Sequence, residues 1–343
     1  MTSTLFSGMR SGFAAVLAAL IFVPAGLMAQ YESPEAPIVA LNPNNDSNRA
    51  QGTSVDRVLF RLSEPVLLNA GSESLSAEPA PSGDAPSWEC PWFKSPTVFV
   101  NNLFNSNNDQ RPQGLDTFQY RLQIGADFIT YADIVAGVMF TQGVEEGEAD
   151  DLFGATQEFD KTSQHLTLYA GRSFGDWFLA GATMTFGWAD SDFQIPSLAI
   201  TGGNDSFSYS PSVYAGVAHA WDHFGFSSVA AYIYEDIYFD PGTPGTGFNT
   251  STGTVTWKTS GTWFAASWVD VSAFYKLTQI AHTNVQFALP AGENNDHNWS
   301  TVGTKATFYP AQGWEAYAGI DYDLFNHNYG ENVTGLIGAG YRF

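Results

Sequence analysis

The chain has 343 residues, of which 15% are aromatic and only 14% charged, and its net charge is −22. So acidic a balance excludes nucleic acid as a partner. A single cysteine, Cys90, excludes an intramolecular disulfide framework and reads as an unpaired thiol.

The N-terminus is the first element. Arg10 is the one charged side chain among residues 1–29, and it precedes the apolar run from Gly12 to Pro24 and the small-residue end Ala25-Gly-Leu-Met-Ala29. This is the pattern of a secretory signal peptide cleaved after Ala29. Its apolar run is too short to span a bilayer as a helix, and no later segment approaches 18 apolar residues. Residues 30–91 are rich in Pro, Ser, Ala, Asn and Glu and read mostly as linker or disorder. Within them, residues 55–62 place Val55, Val58, Leu59 and Leu62 at helical spacing, with Arg57 and Arg61 on the other side. Two readings are open: a short amphipathic helix, or a plug in the lumen of an acidic barrel.

Residues 92–343 alternate between segments of period two and polar connectors. The first strand is expected at Thr97–Phe104. Phe118, Tyr120, Leu122, Ile124, Ala126 and Phe128 interleave with Gln119, Arg121, Gln123, Gly125 and Asp127. The same alternation recurs over 134–141, 178–188 and 314–324, and more weakly over 161–174, 205–219, 224–238, 265–277, 282–289 and 299–309. The last strand sets Val333, Gly335, Ile337, Ala339, Tyr341 and Phe343 against Thr334, Leu336, Gly338, Gly340 and Arg342. Period two means β-strand, with successive side chains on opposite faces. An apolar face opposite a small or polar one suits a wall between lipid and a wet lumen.

Connectors sort by parity. Those expected at Tyr131–Asp133, Gly175–Asp176, Asp222–His223, Thr278–Ala281 and Pro310–Gly313 are short. The alternate set, Asn105–Gly114, Val144–Asp160, Ala189–Asn204, Phe239–Thr252 and Ala291–Asn298, is longer and more polar. The fold class expected is therefore all-β: a transmembrane antiparallel up-and-down β-barrel of about twelve strands, its short turns periplasmic, in the cell outer membrane of a Gram-negative bacterium. Lipid and lipopolysaccharide are its expected surroundings, and a monomer its expected state.

The phrases Leu122-Gln-Ile-Gly-Ala-Asp-Phe128, Ala136-Gly-Val-Met-Phe140, Leu168-Tyr-Ala-Gly-Arg-Ser-Phe-Gly-Asp-Trp177 and Ile337-Gly-Ala-Gly-Tyr-Arg-Phe343 resemble strands of the autotransporter β-domain. That resemblance implies a twelve-stranded translocator with a helix threading its pore. Tyr341 and the terminal Phe343 resemble the signature that outer-membrane proteins present to the barrel-assembly machinery. The resemblance stops short at the passenger: about sixty residues lie between the signal and the barrel, without a repeat, so a large β-solenoid passenger is not implied. Val100-Asn-Asn-Leu103 resembles a self-cleavage sequence of some members, yet it falls inside the expected first strand instead of a pore helix.

Most ionisable residues in the phased strands fall opposite the apolar face: Arg121, Lys276, Lys305 and Arg342 with Asp127, Asp270, Glu315, Asp321 and Asp323. They form either a transverse field across a diffusion or translocation pore, or simply a wet, registered lumen. Arg172 falls on the outward phase at the periplasmic end, where it can reach headgroups. Glu145, Glu146, Glu148, Asp150 and Asp151 crowd one connector, a weak divalent-cation candidate without EF-hand spacing. Asp321, Asp323, His327, His297 and Ser300 could be drawn into a hydrolytic site at the rim, but no Gly-x-Ser-x-Gly motif accompanies them. Neither catalysis nor a cofactor is expected, and no Cys/His cluster has zinc spacing. Surface-loop adhesion is the alternative to a pore.

Overall fold

The computed structural model describes residues 46–72, 93–109, 115–130, 134–150, 156–196, 200–240, 248–285, 298–325 and 330–343. The signal peptide, Cys90, His297 and His327 lie outside them. In chain order they form one helix and twelve strands: α1 (Asp46–Ser72), β1 (Phe93–Asp109), β2 (Leu115–Thr130), β3 (Ile134–Asp150), β4 (Thr156–Phe174), β5 (Phe178–Ile195), β6 (Ile200–Trp221), β7 (Phe224–Asp240), β8 (Phe248–Ala266), β9 (Val269–Val285), β10 (Asn298–Phe308), β11 (Trp314–Phe325) and β12 (Gly330–Arg342). Each strand pairs with the next, and β1 pairs antiparallel with β12, so the sheet is a closed barrel. Closure satisfies the edges that an open sheet would leave unpaired in lipid. No described helix is long and apolar enough to cross a membrane; the crossing belongs to the strands.

The alternation in the sequence becomes the two faces of this wall. Ile124, Val138, Phe140, Leu168, Val213, Ile320 and Ile337 stand exposed on the outside. Exposed aromatics bracket them, with Phe104, Phe118, Trp188, Phe207 and Tyr238 towards one rim and Trp177, Trp221, Trp263, Trp268 and Trp314 towards the other. Such paired girdles mark the two water–lipid interfaces of a transmembrane barrel. Inside, several large rings lie over glycines: a Cβ on Gly125 would strike the Phe99 ring, one on Gly137 the Tyr169 ring, and one on Gly338 the Tyr317 ring. Small inward residues thus make room for inward aromatics. The tight turn between β4 and β5 needs Gly175 at φ +64°.

Three expectations change. The chain forms strand over Phe248–Ala266, where a long connector and an unassigned stretch were expected. Conversely, the connector expected at Thr278–Ala281 lies inside β9, because Thr278 and Ile280 both point inward and are buried. Residues 269–277 and 282–285 of the two expected strands therefore belong to one strand, residues 286–289 lie outside the described residues, and the β8–β9 turn sits at Ser267-Trp268. Twelve is the right count, reached with one strand missed and one divided. The expected long loops also shrink, since β1, β3, β4, β5 and β6 run further than their apolar alternation. β6, with 22 residues, is about twice the roughly 9–11 that a tilted strand needs to cross a bilayer.

The third change concerns residues 145–151. Glu145 to Asp150 continue β3, so alternation sends Glu145 to the face opposite Glu146 and Glu148, while Asp151 lies outside the described residues. Glu145 is buried inward, with Lys161 Nζ 3.9 Å away, while Glu146 and Glu148 face out. Among the described residues no group of three or more His, Cys, Asp or Glu is placed to hold a metal ion.

Candidate lumen site

The helix α1 is much longer than the expected 55–62, and it lies inside the barrel, against the inner faces of β3 to β7. Its sequence explains the seat. Ala50, Val55 and Val58 form one buried cluster with inward Val135, Met139, Tyr169, Leu179, Tyr214, Val229 and Ala231. Gly171 leaves the space: a Cβ there would come within 2.7 Å of Val58 Cγ1. The other helix face carries arginine at positions 49, 57 and 61, one to two turns apart, and turns to β2, β11 and β12.

Asp127 on β2 is the focus. Arg57 donates through Nε to Asp127 Oδ2 at 3.0 Å, and Arg61 Nε lies 2.9 Å from Asp127 Oδ1. Arg57 also donates through Nη1 to Glu315 on β11. Asp127 is 1% exposed and Arg61 1%. The Arg57 guanidinium sits 4.5 Å from the Phe99 ring centroid, and Tyr169 donates its hydroxyl to Asp127 Oδ2. Two guanidiniums, two carboxylates and aromatic faces thus meet in a space closed to water. Arginine suits that role because its charge persists and its planar fork meets carboxylates side-on.

Higher in the lumen, Arg49 donates to Thr334 Oγ1 at 2.8 Å and Thr53 to Gln123 Oε1 at 3.3 Å. Lower down, Phe60 stacks on Tyr309, beside the β10–β11 turn, at 6.5 Å. The helix therefore runs along the barrel with its N-terminal half towards the rim of the longer connections. On its flank Asp56 receives both hydrogen bonds of Lys258 Nζ, at 2.7 and 2.8 Å.

The remaining sequence-selected residues take distinct places. Arg121, buried, donates to Gln119 at 2.6 Å on its own strand. Asp270 accepts from the Tyr309 hydroxyl at 2.6 Å. Lys305 lies over the Tyr317 ring at 5.5 Å. Asp323 accepts from Thr301 at 2.5 Å and from Asn332, which ties β10, β11 and β12 together and occupies it structurally. Asp321 lines the cavity beside the helix. Arg342 sits at the short-turn rim, opposite Thr97 in the closing seam. Tyr341 packs on Trp314 at 4.8 Å and edge-on to Phe343 at 5.0 Å, on the outside. Arg172 stands outside over the Phe174 ring, at 5.7 Å.

Sequence reasoning missed the Asp56–Lys258 pair and Arg49. Lys258 was hidden because β8 shows no continuous apolar face: Thr254, Thr256 and Ser260 point in, and Thr259 interrupts the outward run of Val255, Trp257 and Trp263. Arg49 had a signal, since it lies two turns before Arg57 on the same face.

No protein-family model and no curated protein matches the sequence. Solved structures do match the fold. The translocator domain of the autotransporter NalP from Neisseria meningitidis superposes with TM-score 0.60 at 14% identity, covering 87% of this chain and 98% of that one. The transport unit of the autotransporter AIDA-I from Escherichia coli gives 0.59 at 14%, covering 83% and 99%. The β domain of the Bordetella autotransporter BrkA gives 0.55 at 12%, covering 73% and 100%. The match to NalP takes in more of the chain than its barrel strands alone. In fold, this chain is a twelve-stranded transmembrane β-barrel of the kind that forms autotransporter translocator domains.

Proposed function

We propose that the protein is an outer-membrane barrel whose lumen is a translocation or diffusion route, held shut by α1. The observation that carries this reading is the convergence of Arg57 and Arg61 on buried Asp127, with Glu315 completing the set. A helix lying loosely in a pore would not need buried, matched charges. Breaking one partner of such a pair leaves an uncompensated buried charge, at a cost of roughly 3–5 kcal/mol, so the arrangement holds the helix in one position. The likeness to translocator domains supports the same reading at the level of fold. Lipid and lipopolysaccharide on the apolar belt, and a monomeric state, go with it. So does export by the segment at residues 1–29.

The test is single-channel recording in planar bilayers on the full mature chain and on Arg57→Gln/Arg61→Gln. The wild type is expected to pass little current and the double variant markedly more. Heat-shifted gel mobility confirms that both are folded. Equal conductance of the two, at any level, sinks the helix as the closing element. Silence from both moves the function to the outward strand extensions beyond the upper girdle.

A further inference from the structure

The outward face of the wall separates its charges by height. Outward carboxylates such as Glu146, Asp160 and Asp192 stand on the strand extensions beyond the upper girdle. Among the described residues Arg172 is the only arginine or lysine on that face, and it lies at the opposite end, near the short-turn rim. Its side chain is exposed, with Cζ 5.7 Å from the Phe174 ring centroid. Among the described residues no ion pair or side-chain hydrogen bond engages the guanidinium. Asp176, on the β4–β5 turn, borders the mouth of the lumen and is not paired with it. Beside Arg172 the wall is smooth. Arg172 is opposite Ala180 on β5, Ala180 is opposite Ala215 on β6, and Ala215 is opposite Ala230 on β7. One step further from the rim, Ala170 is flanked by Ala136 and Ala182. Exposed Phe174, Trp177 and Phe178 border this alanine shelf on the rim side.

We propose that Arg172 and the alanine shelf bind one anionic phospholipid, its phosphodiester on the guanidinium and an acyl chain on the alanines. The inference rests on the outer-membrane placement above and not on α1 as the closing element. Short turns face the periplasm, so the lipid at this height is phospholipid of the inner leaflet and not lipopolysaccharide. A lipid-facing charge is tolerated only where it reaches the interface, and the position of Arg172 allows that. The guanidinium fork meets phosphate oxygens side-on, and the Phe174 face steadies it against the wall. No outward carboxylate stands beside Arg172 on the described wall to take the ammonium of a zwitterionic head. A head with net negative charge therefore gains more from the contact than a zwitterionic one. The alanines bring an acyl chain close to the backbone, where dispersion contact accumulates along its length. Larger side chains on the same positions would hold the chain off.

The experiment is native mass spectrometry of the full mature chain released from nanodiscs. These contain phosphatidylglycerol and phosphatidylethanolamine in equal amounts, with matched acyl chains. Wild type is expected to keep one phosphatidylglycerol in preference to phosphatidylethanolamine. Arg172→Gln lowers that preference about fivefold, the order of one basic residue's attraction for an anionic head. Arg172→Lys, which keeps the charge and loses the fork, retains part of it. Ala215→Leu fills the shelf and lowers retention of both lipids severalfold; Ala180→Val serves if that variant does not fold. Arg342→Gln, at the same rim but facing the lumen, leaves both unchanged. Heat-shifted mobility checks the fold of each variant. Equal retention by wild type and Arg172→Gln overturns the proposal, and so does wild type keeping the two lipids alike. A loss for Arg342→Gln that matches Arg172→Gln also overturns it, because a general charge at the rim is then responsible. Retention unmoved by the alanine variants overturns the shelf. The measurement reads lipid and not current, so its failure leaves the pore reading standing.

Discussion

Asp127 shows how one residue ties a helix to a wall. Its two oxygens face two guanidiniums in a region closed to water. Asp127→Asn is expected to destabilise the seated helix by roughly 3 kcal/mol, since Arg57 and Arg61 keep their charge and lose their shared counter-ion. The unfolding midpoint in a heat-shift gel series measures it. Arg57→Gln/Arg61→Gln/Asp127→Asn should recover part of that loss, because the two guanidinium charges are gone and Glu315 alone is left without its partner. A triple variant no more stable than Asp127→Asn would mean that the site acts through shape and not charge. The sequence made the participants visible at this scale. Arg57, Arg61 and Asp127 were each on a definable face, but which arginine meets which carboxylate depends on the helix's depth in the barrel. No local pattern encodes depth.

At the scale of elements, β3, β4 and β5 extend past the upper aromatic girdle with an unusual outward face. Glu146 on β3 is directly opposite Asp160 on β4, and Asp160 is directly opposite Asp192 on β5. Like charges directly opposed across a strand pair cost stability, and salt screens them. Asp160→Asn is expected to stabilise the folded barrel by about 0.5 kcal/mol at low salt. Midpoints of heat-shifted mobility at low and high ionic strength check this, and the gain should shrink as salt rises. These extensions were read from sequence as loops because their charges and glycines conceal the alternation. Lipid-facing segments betray themselves by apolar residues; a strand standing in water on its outer face has no such need. β8 was hidden differently: its outward run of Val255, Trp257 and Trp263 is broken by Thr259 and Gly261. Where an outward face is lipid-facing, as at Ile124, Phe140 or Ile337, the sequence phase and the structural phase agree.

For the whole molecule, the legible features were those that closure itself imposes: an even strand number, short turns at one rim, an apolar exterior. The terminal residue belongs to this scale. Phe343 is 71% exposed and donates its backbone N–H to Pro96 O at 3.0 Å, alongside the seam of β1 and β12. An exposed ring adds little to folded stability. Phe343→Ser should therefore leave the heat-shift midpoint of detergent-refolded protein within about 0.5 kcal/mol of wild type. The amount of folded barrel recovered from cell membranes should fall severalfold, as a role in presenting the chain to the assembly machinery requires. A parallel loss in both assays would assign the ring to the seam instead.

The closed ring also imposes an order of events. Twelve strands joined edge to edge offer no side door, and α1 with its buried arginines sits within them. The helix reaches its seat in one of two ways: it travels lengthwise down a finished tube, dragging charged side chains past Asp127, or it is already in place when the last strand meets the first. In the second history the helix is a mould around which the wall is laid, and the arginine–aspartate contacts are made while the seam is still open to water. The two histories leave the same molecule. They differ in whether a chain with a prematurely joined seam can ever be completed.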